Sequence, residues 1–196
     1  MGRGAWRLDE ELRSLTLQTD KTIRLIKLGT IDRAASNDEV TIGVDCFCQS
    51  SNGRFGVFWG FHTTADDHSR NAHFLAVEVF GLSDPQSKRR AVIRRYIATL
   101  NERSGTVRSD GYRDTGIFEA KLDRENWRLD VRFSGASPFS VQFCGQTFPE
   151  LCSDESNLEY STVDFLGDFG LYSLDGSVWY SNPVFQRNSG IPNLHK

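Results

Sequence analysis

Apolar and polar residues alternate with a period of two along most of the chain, and that pattern predicts strands. The clearest run is 126–133, where Trp127, Leu129, Val131 and Phe133 share one face and Asn126, Arg128, Asp130 and Arg132 the other. Phe118, Ala120 and Leu122 repeat it, as do Phe139, Val141 and Phe143. Val40, Ile42, Val44 and Cys46 alternate in the same way with Thr41, Gly43 and Asp45. Further strands are predicted over 54–62, 73–80, 91–99, 169–174 and 177–185, and Leu15, Leu17, Ile23 and Leu25 supply one or two outer strands. Asp175-Gly176, set between two apolar runs, is the strongest hairpin signal in the sequence. The reading gives about ten to twelve strands. No long helix is predicted; Asp9, Glu10, Glu11 and Leu12 support a helical turn at most.

Many antiparallel strands in one chain must bury two inner faces against each other, so the expected fold is all-β, a two-sheet antiparallel β-sandwich. No linker, low-complexity tract or fixed-period repeat interrupts it, and residues 1–196 read as a single domain. Composition agrees: 12% aromatic residues with 14 Phe favour strands, and 17 Gly favour the turns between them. With 38% hydrophobic and 25% charged residues, an ordinary core is expected and disorder is not.

Charge and cysteine content narrow the field further. A net charge of −3 excludes a general nucleic-acid binder, and the basic group Lys88, Arg89, Arg90, Arg94 and Arg95 reads as a solvated hairpin and strand face. No apolar stretch reaches the roughly 18 residues of a membrane span, so no membrane insertion is expected. The opening Met-Gly-Arg-Gly-Ala-Trp-Arg lacks the apolar region of a signal peptide. The expectation is a cytoplasmic protein or an excised domain of a larger one. Four cysteines are too few for a disulfide scaffold, and they read as reduced thiols. Cys46 and Cys48 share a strand face; Cys144 and Cys152 flank a short connection across which they could meet.

Three segment pairs, taken in order, carry a family resemblance. They are Phe55-Gly56-Val57-Phe58-Trp59-Gly60-Phe61 followed by Phe74-Leu75-Ala76-Val77-Glu78-Val79; Trp127-Arg128-Leu129-Asp130-Val131 followed by Val141-Gln142-Phe143-Cys144-Gly145; and Phe169-Gly170-Leu171-Tyr172 followed by Gly176-Ser177-Val178-Trp179-Tyr180-Ser181-Asn182. Their succession over about residues 40–186 resembles the concanavalin A-like lectin and glucanase superfamily, including laminin-G-like domains. The resemblance implies a jelly roll. It leaves function open, because this fold hosts lectins, glycosidases, lyases and adhesion modules.

The candidate chemistry follows from parity. With Val57, Trp59 and Phe61 in the core beside Leu75, Val77 and Val79, the opposite face carries Phe58, Gly60 and His62, then Ala76, Glu78 and Phe80. Arg94 and Tyr96 can join that side. The small Gly60 and Ala76 leave room for a ligand, and His62, Glu78, Arg94 and Tyr96, with Phe58, form the expected binding face for a saccharide. The competing reading is a cross-strand ion pair of Glu78 and Arg94 under a covering loop. Tyr172, Trp179 and Tyr180 are candidate stacking residues, although their alternation sends at least half of them inward.

The loop 62–73 holds three of the four histidines together with Asp66 and Asp67. Oxygen ligands there suit Ca²⁺ and histidine nitrogens suit a transition metal, so the mixture fits neither cleanly; calcium is the metal the resemblance favours, and no other cofactor is expected. A retaining glycosidase needs two carboxyl groups about 5–5.5 Å apart. The Glu-x-Asp-x-x-Glu pattern of the glucanase branch is absent; Glu119, Asp123 and Glu125 read as a solvated edge. No Gly-x-Ser-x-Gly elbow or phosphate loop occurs. The expected function is therefore a non-catalytic recognition module for carbohydrate. The alternatives are a glycoside hydrolase using Glu78 with His62, and a protein-interaction domain.

Overall fold

The computed structural model describes residues 5–9, 14–19, 23–31, 39–48, 53–65, 70–80, 89–101, 106–120, 127–134, 140–143, 146–147 and 166–188. Among these, the chain forms thirteen strands and no helix: β1 (Ala5–Asp9), β2 (Ser14–Thr19), β3 (Arg24–Ile31), β4 (Glu39–Cys48), β5 (Arg54–Ala65), β6 (Arg70–Phe80), β7 (Arg89–Asn101), β8 (Thr106–Ala120), β9 (Trp127–Ser134), β10 (Ser140–Phe143), β11 (Gln146–Thr147), β12 (Gly167–Leu174) and β13 (Gly176–Asn188). They pair antiparallel throughout, in a seven-stranded sheet ordered β1-β2-β13-β4-β9-β10-β11 and a six-stranded sheet ordered β3-β12-β5-β6-β7-β8. Neighbours in sequence pair in the meanders β5 to β8 and β9 to β11, while β3, β4, β12 and β13 alternate between the layers.

That alternation corrects one expectation. Asp175-Gly176 does not close a hairpin: β12 lies between β3 and β5, and β13 lies between β2 and β4 in the other sheet. Asp175 takes φ 56°, the left-handed region that Asp tolerates, and the chain passes from one layer to the other there. A turn signal reports that the chain reverses. It does not report which strand each arm will pair with, and here both arms find partners distant in sequence.

The core lies between the layers. Val57, Trp59, Leu75 and Val77 from the six-stranded sheet meet Ile42, Val44, Leu129 and Val131 from the seven-stranded sheet, all at or below 1% exposure. Each such aliphatic or aromatic side chain contributes about 1.5–3 kcal/mol on burial. Cys46 is a thiol in the same core. Tyr180 ties the layers together: its hydroxyl donates to the Tyr172 carbonyl and accepts from the Gly56 amide at 3.2 Å. Satisfying that phenol on both sides is what lets a tyrosine sit in an apolar core.

Candidate functional site

On the outer face of the six-stranded sheet the parity reading places most of the expected residues together. Phe58 pairs with Ala76, Ala76 with Arg94, and Phe74 with Tyr96. Phe58, Phe74, Ala76, Tyr96 and Tyr172 form a second apolar cluster, with Phe74 stacked on Tyr96 at 4.7 Å between ring centroids. Glu78 stands within it. Its carboxylate meets Arg94 Nη1 at 3.2 Å and Arg54 Nη1 at 3.7 Å, and accepts from the Tyr96 hydroxyl. The Tyr96 and Tyr172 hydroxyls lie 3.0 Å apart.

This face is closed to solvent. Glu78 is 0% exposed, Arg94 6%, Tyr96 2% and Phe58 1%. Arg94 therefore leaves the solvated basic run to which its neighbours assigned it: alternation in β7 turns it beside Tyr96, and small Ala76 opposite lets it reach Glu78 diagonally. Burial first, then the charge and hydrogen bonding of Glu78, push the Tyr172 phenol well above its ordinary range.

His62 is elsewhere. Gly60 adopts φ 67° and the β5–β6 register shifts between Trp59 and His62. One extra residue in a strand reverses the parity of everything beyond it. Phe61 accordingly joins Phe58 and Phe74, with centroids at 6.3 and 6.0 Å, and leaves the core face. His62 pairs with His73 and stacks on it at 5.2 Å, on the side of the sheet that carries Leu75. Its Nδ1 donates to the Gly60 carbonyl at 2.9 Å. No Glu78–His62 pair exists.

The outer face of the seven-stranded sheet holds a group that parity alone did not assemble. Trp179 on β13 is 37% exposed and stacks on its cross-strand partner Phe47 at 5.2 Å and 13°. Of the three candidate stacking residues it alone is exposed; Tyr172, on the outer face of the other sheet, and Tyr180, in the core, are buried. Two residues along the strands, Ser181, Asp45 and Arg128 lie side by side. Arg128 Nη1 donates to Asp45 at 3.3 Å and to the Asn182 carbonyl at 3.0 Å, and its Nε donates to Asp130 at 3.1 Å. Asn182, at φ 48° in a bulge of β13, returns its amide to the other oxygen of Asp45 at 2.8 Å. Gly43 makes the arrangement fit, since a Cβ there would collide with the ends of Arg128 and Asp130.

Asp66, Asp67, Asp123 and Glu125 lie outside the described residues. Among those described, no three His, Cys, Asp or Glu side chains group closely enough to hold a metal ion, and no helix is long and apolar enough to cross a membrane.

Two solved structures share the architecture. A Bacillus subtilis protein of unknown function with a galectin-like fold aligns over 95% of this chain and 88% of its own, at TM-score 0.58 and 12% identity. A legume lectin-like domain from Entamoeba histolytica aligns over 96% of this chain and 89% of its own, at TM-score 0.51 and 8% identity. No protein-family model and no curated protein matches the sequence. The fold is a concanavalin A-like jelly roll, as the order of segments implied. At these identities the likeness defines the fold alone.

Proposed function

We propose that this chain is a non-catalytic recognition module that binds carbohydrate on an outer face of its sandwich. The observation that carries the non-catalytic part is the state of Glu78. The hydrolase alternative gives the acid/base role to this residue, yet it is wholly buried and held by two guanidinium groups and a phenol. An acid/base catalyst must reach the proton it moves, at about 2.6–3.2 Å from substrate. Phe58, Glu78, Arg94 and Tyr96 are assigned to holding the shape of the six-stranded sheet, with ligand contact left to solvent-facing groups.

The carbohydrate part rests on the jelly-roll fold, shared with a lectin-like domain, and on a solvent-facing sheet surface that carries aligned donors and acceptors beside an aromatic ring. The test is a glycan and polysaccharide array probed with the purified protein, with and without added Ca²⁺, alongside an assay for released reducing sugar. Binding without release is the expected result. Release of reducing ends that disappears in Glu78→Gln would establish the hydrolase instead. A blank array in both conditions would overturn carbohydrate recognition and point to a protein partner. Calcium-dependent binding would assign a role to the Asp66–Asp67 loop.

A further inference from the structure

The geometry points to a specific binding subsite on the outer face of the seven-stranded sheet: Trp179, stacked on Phe47, as the platform for one pyranose ring of a neutral saccharide, with Asp130 and Arg128 bonding the hydroxyls of the adjoining ring. This rests on the carbohydrate-recognition reading and gives it a location and a ligand class. Trp179 offers a solvent-facing aromatic surface whose orientation is fixed from one side by its cross-strand neighbour Phe47. The C–H face of a sugar ring is apolar and packs on such a surface, while its hydroxyls project sideways. Arg128 Nη2 and the Asp130 carboxylate sit over Gly43, four residues from Phe47 along β4 and roughly 13 Å from the Trp179 row. That is about the span of a pyranose ring and the ring linked to it.

The polar groups are already aligned and only partly used. Arg128 spends Nε and Nη1 on Asp130, Asp45 and the Asn182 carbonyl, so among the described residues nothing accepts from its Nη2. Asp130 engages one oxygen with Arg128, and nothing described donates to the other. A hydroxyl both donates and accepts, and it can bridge that oxygen and that nitrogen in one charge-assisted pair. Both side chains are held over Gly43 and pre-oriented, which reduces the ordering cost of binding.

Charge selects the ligand class. Two carboxylates against one guanidinium leave the cluster with an excess negative charge, and Arg128 is already neutralised by the two acids. A uronate or sialylated ring would bring its carboxylate to like charges. A neutral hexose or pentose would not.

The experiment is affinity electrophoresis of the full chain in gels containing galactomannan, xyloglucan or laminarin, with polygalacturonate and alginate as acidic comparators. Three variants accompany the wild type, and each is checked for unchanged thermal unfolding. Trp179→Ala removes an exposed ring. Trp179→Phe keeps a platform. Gly43→Ala pushes the flexible ends of Arg128 and Asp130 out of place without touching the core.

Retardation by at least one neutral polysaccharide is expected. It should weaken about tenfold in Trp179→Ala, return in Trp179→Phe, and weaken again in Gly43→Ala. Retardation left intact in both Trp179→Ala and Gly43→Ala overturns the subsite while the recognition reading stands. Retardation by the acidic polysaccharides alone overturns the neutral-ligand assignment. A wild type retarded by none of them, together with a blank array, overturns both.

Discussion

On the outer face of the six-stranded sheet, Glu78 meets Arg94 at 3.2 Å with side chains 0% and 8% exposed. On the outer face of the seven-stranded sheet, Asp45 meets Arg128 at 3.3 Å with side chains 35% and 29% exposed. The distances are nearly equal and the residue types almost the same. Burial separates them. The first pair sits among Phe58, Phe74 and Tyr172, where an unmatched charge has no water to turn to. The second lies where solvent and salt screen it and where a ligand can replace water. A charge cluster on a strand face thus becomes part of the frame or part of a surface according to what covers it.

The largest expected effect tests the frame. Glu78→Ala leaves the Arg94 guanidinium buried against apolar rings, and loss of one partner of a buried pair costs about 3–5 kcal/mol. Urea unfolding of the variant should show that loss, with little recovery on adding salt. A change below about 1 kcal/mol would mean that water reaches the pair and that the contrast between the two faces is wrong.

Tyr172 reports the same burial through pH. In the unfolded chain its phenol ionises from about pH 10, while burial beside Glu78 keeps it neutral in the fold well beyond that. Between the two values the unfolded state binds fewer protons, so stability is full below pH 10 and falls as pH rises. Urea midpoints measured between pH 8 and 11 should decline for the wild type, and less steeply for Tyr172→Phe. Equal slopes would remove Tyr172 as the cause.

The surface face should respond weakly. Arg128→Ala breaks both ion pairs of the cluster, yet groups about a third exposed are expected to contribute only about 0–1 kcal/mol. Its unfolding midpoint should stay close to the wild type, and the small difference should vanish at high salt. A loss comparable with that of Glu78→Ala would place Arg128 in the frame and make its use as a ligand contact untenable.

What the sequence discloses about these faces follows the range over which each feature is decided. Alternation is local, so Leu129 and Val131 are legible as inward and Arg128 and Asp130 as outward, and Glu78, Arg94 and Tyr96 are legible as neighbours across β6 and β7. The concanavalin A-like fold is legible in the same way, through the order of its strands. Gly60 is a one-residue event that reverses the side His62 takes, and no alternation pattern announces it. The surface cluster depends on register between distant strands: Asp45 meets Arg128 across 83 positions and Asn182 across 137. The strand predicted over 177–185 gave no sign of the break at Asn182. Whether the Glu78 face opens to solvent is decided by packing over it, which has no local signature.

The smallest effect belongs to the intermediate case, the stacked His62 and His73 at the end of the sheet. Partial burial, then the neighbouring His62 and Arg95, hold the His73 imidazole below its ordinary value. In the unfolded chain it takes a proton near pH 6.5. The unfolded state therefore binds more protons as the pH drops through that value. The contribution of His73 is present above pH 6.5 and is lost as pH falls through the lowered folded value. Because its ring also faces solvent and touches Thr64 Oγ1 at 3.3 Å, the loss should be slight. His62→Gln removes the second of the three causes and keeps the first. The NMR titration midpoint of His73 should rise in that variant, but stop short of an unperturbed histidine. A full return to the ordinary value would mean that repulsion dominates over burial, and that the end of the sandwich is as wet as the Trp179 face.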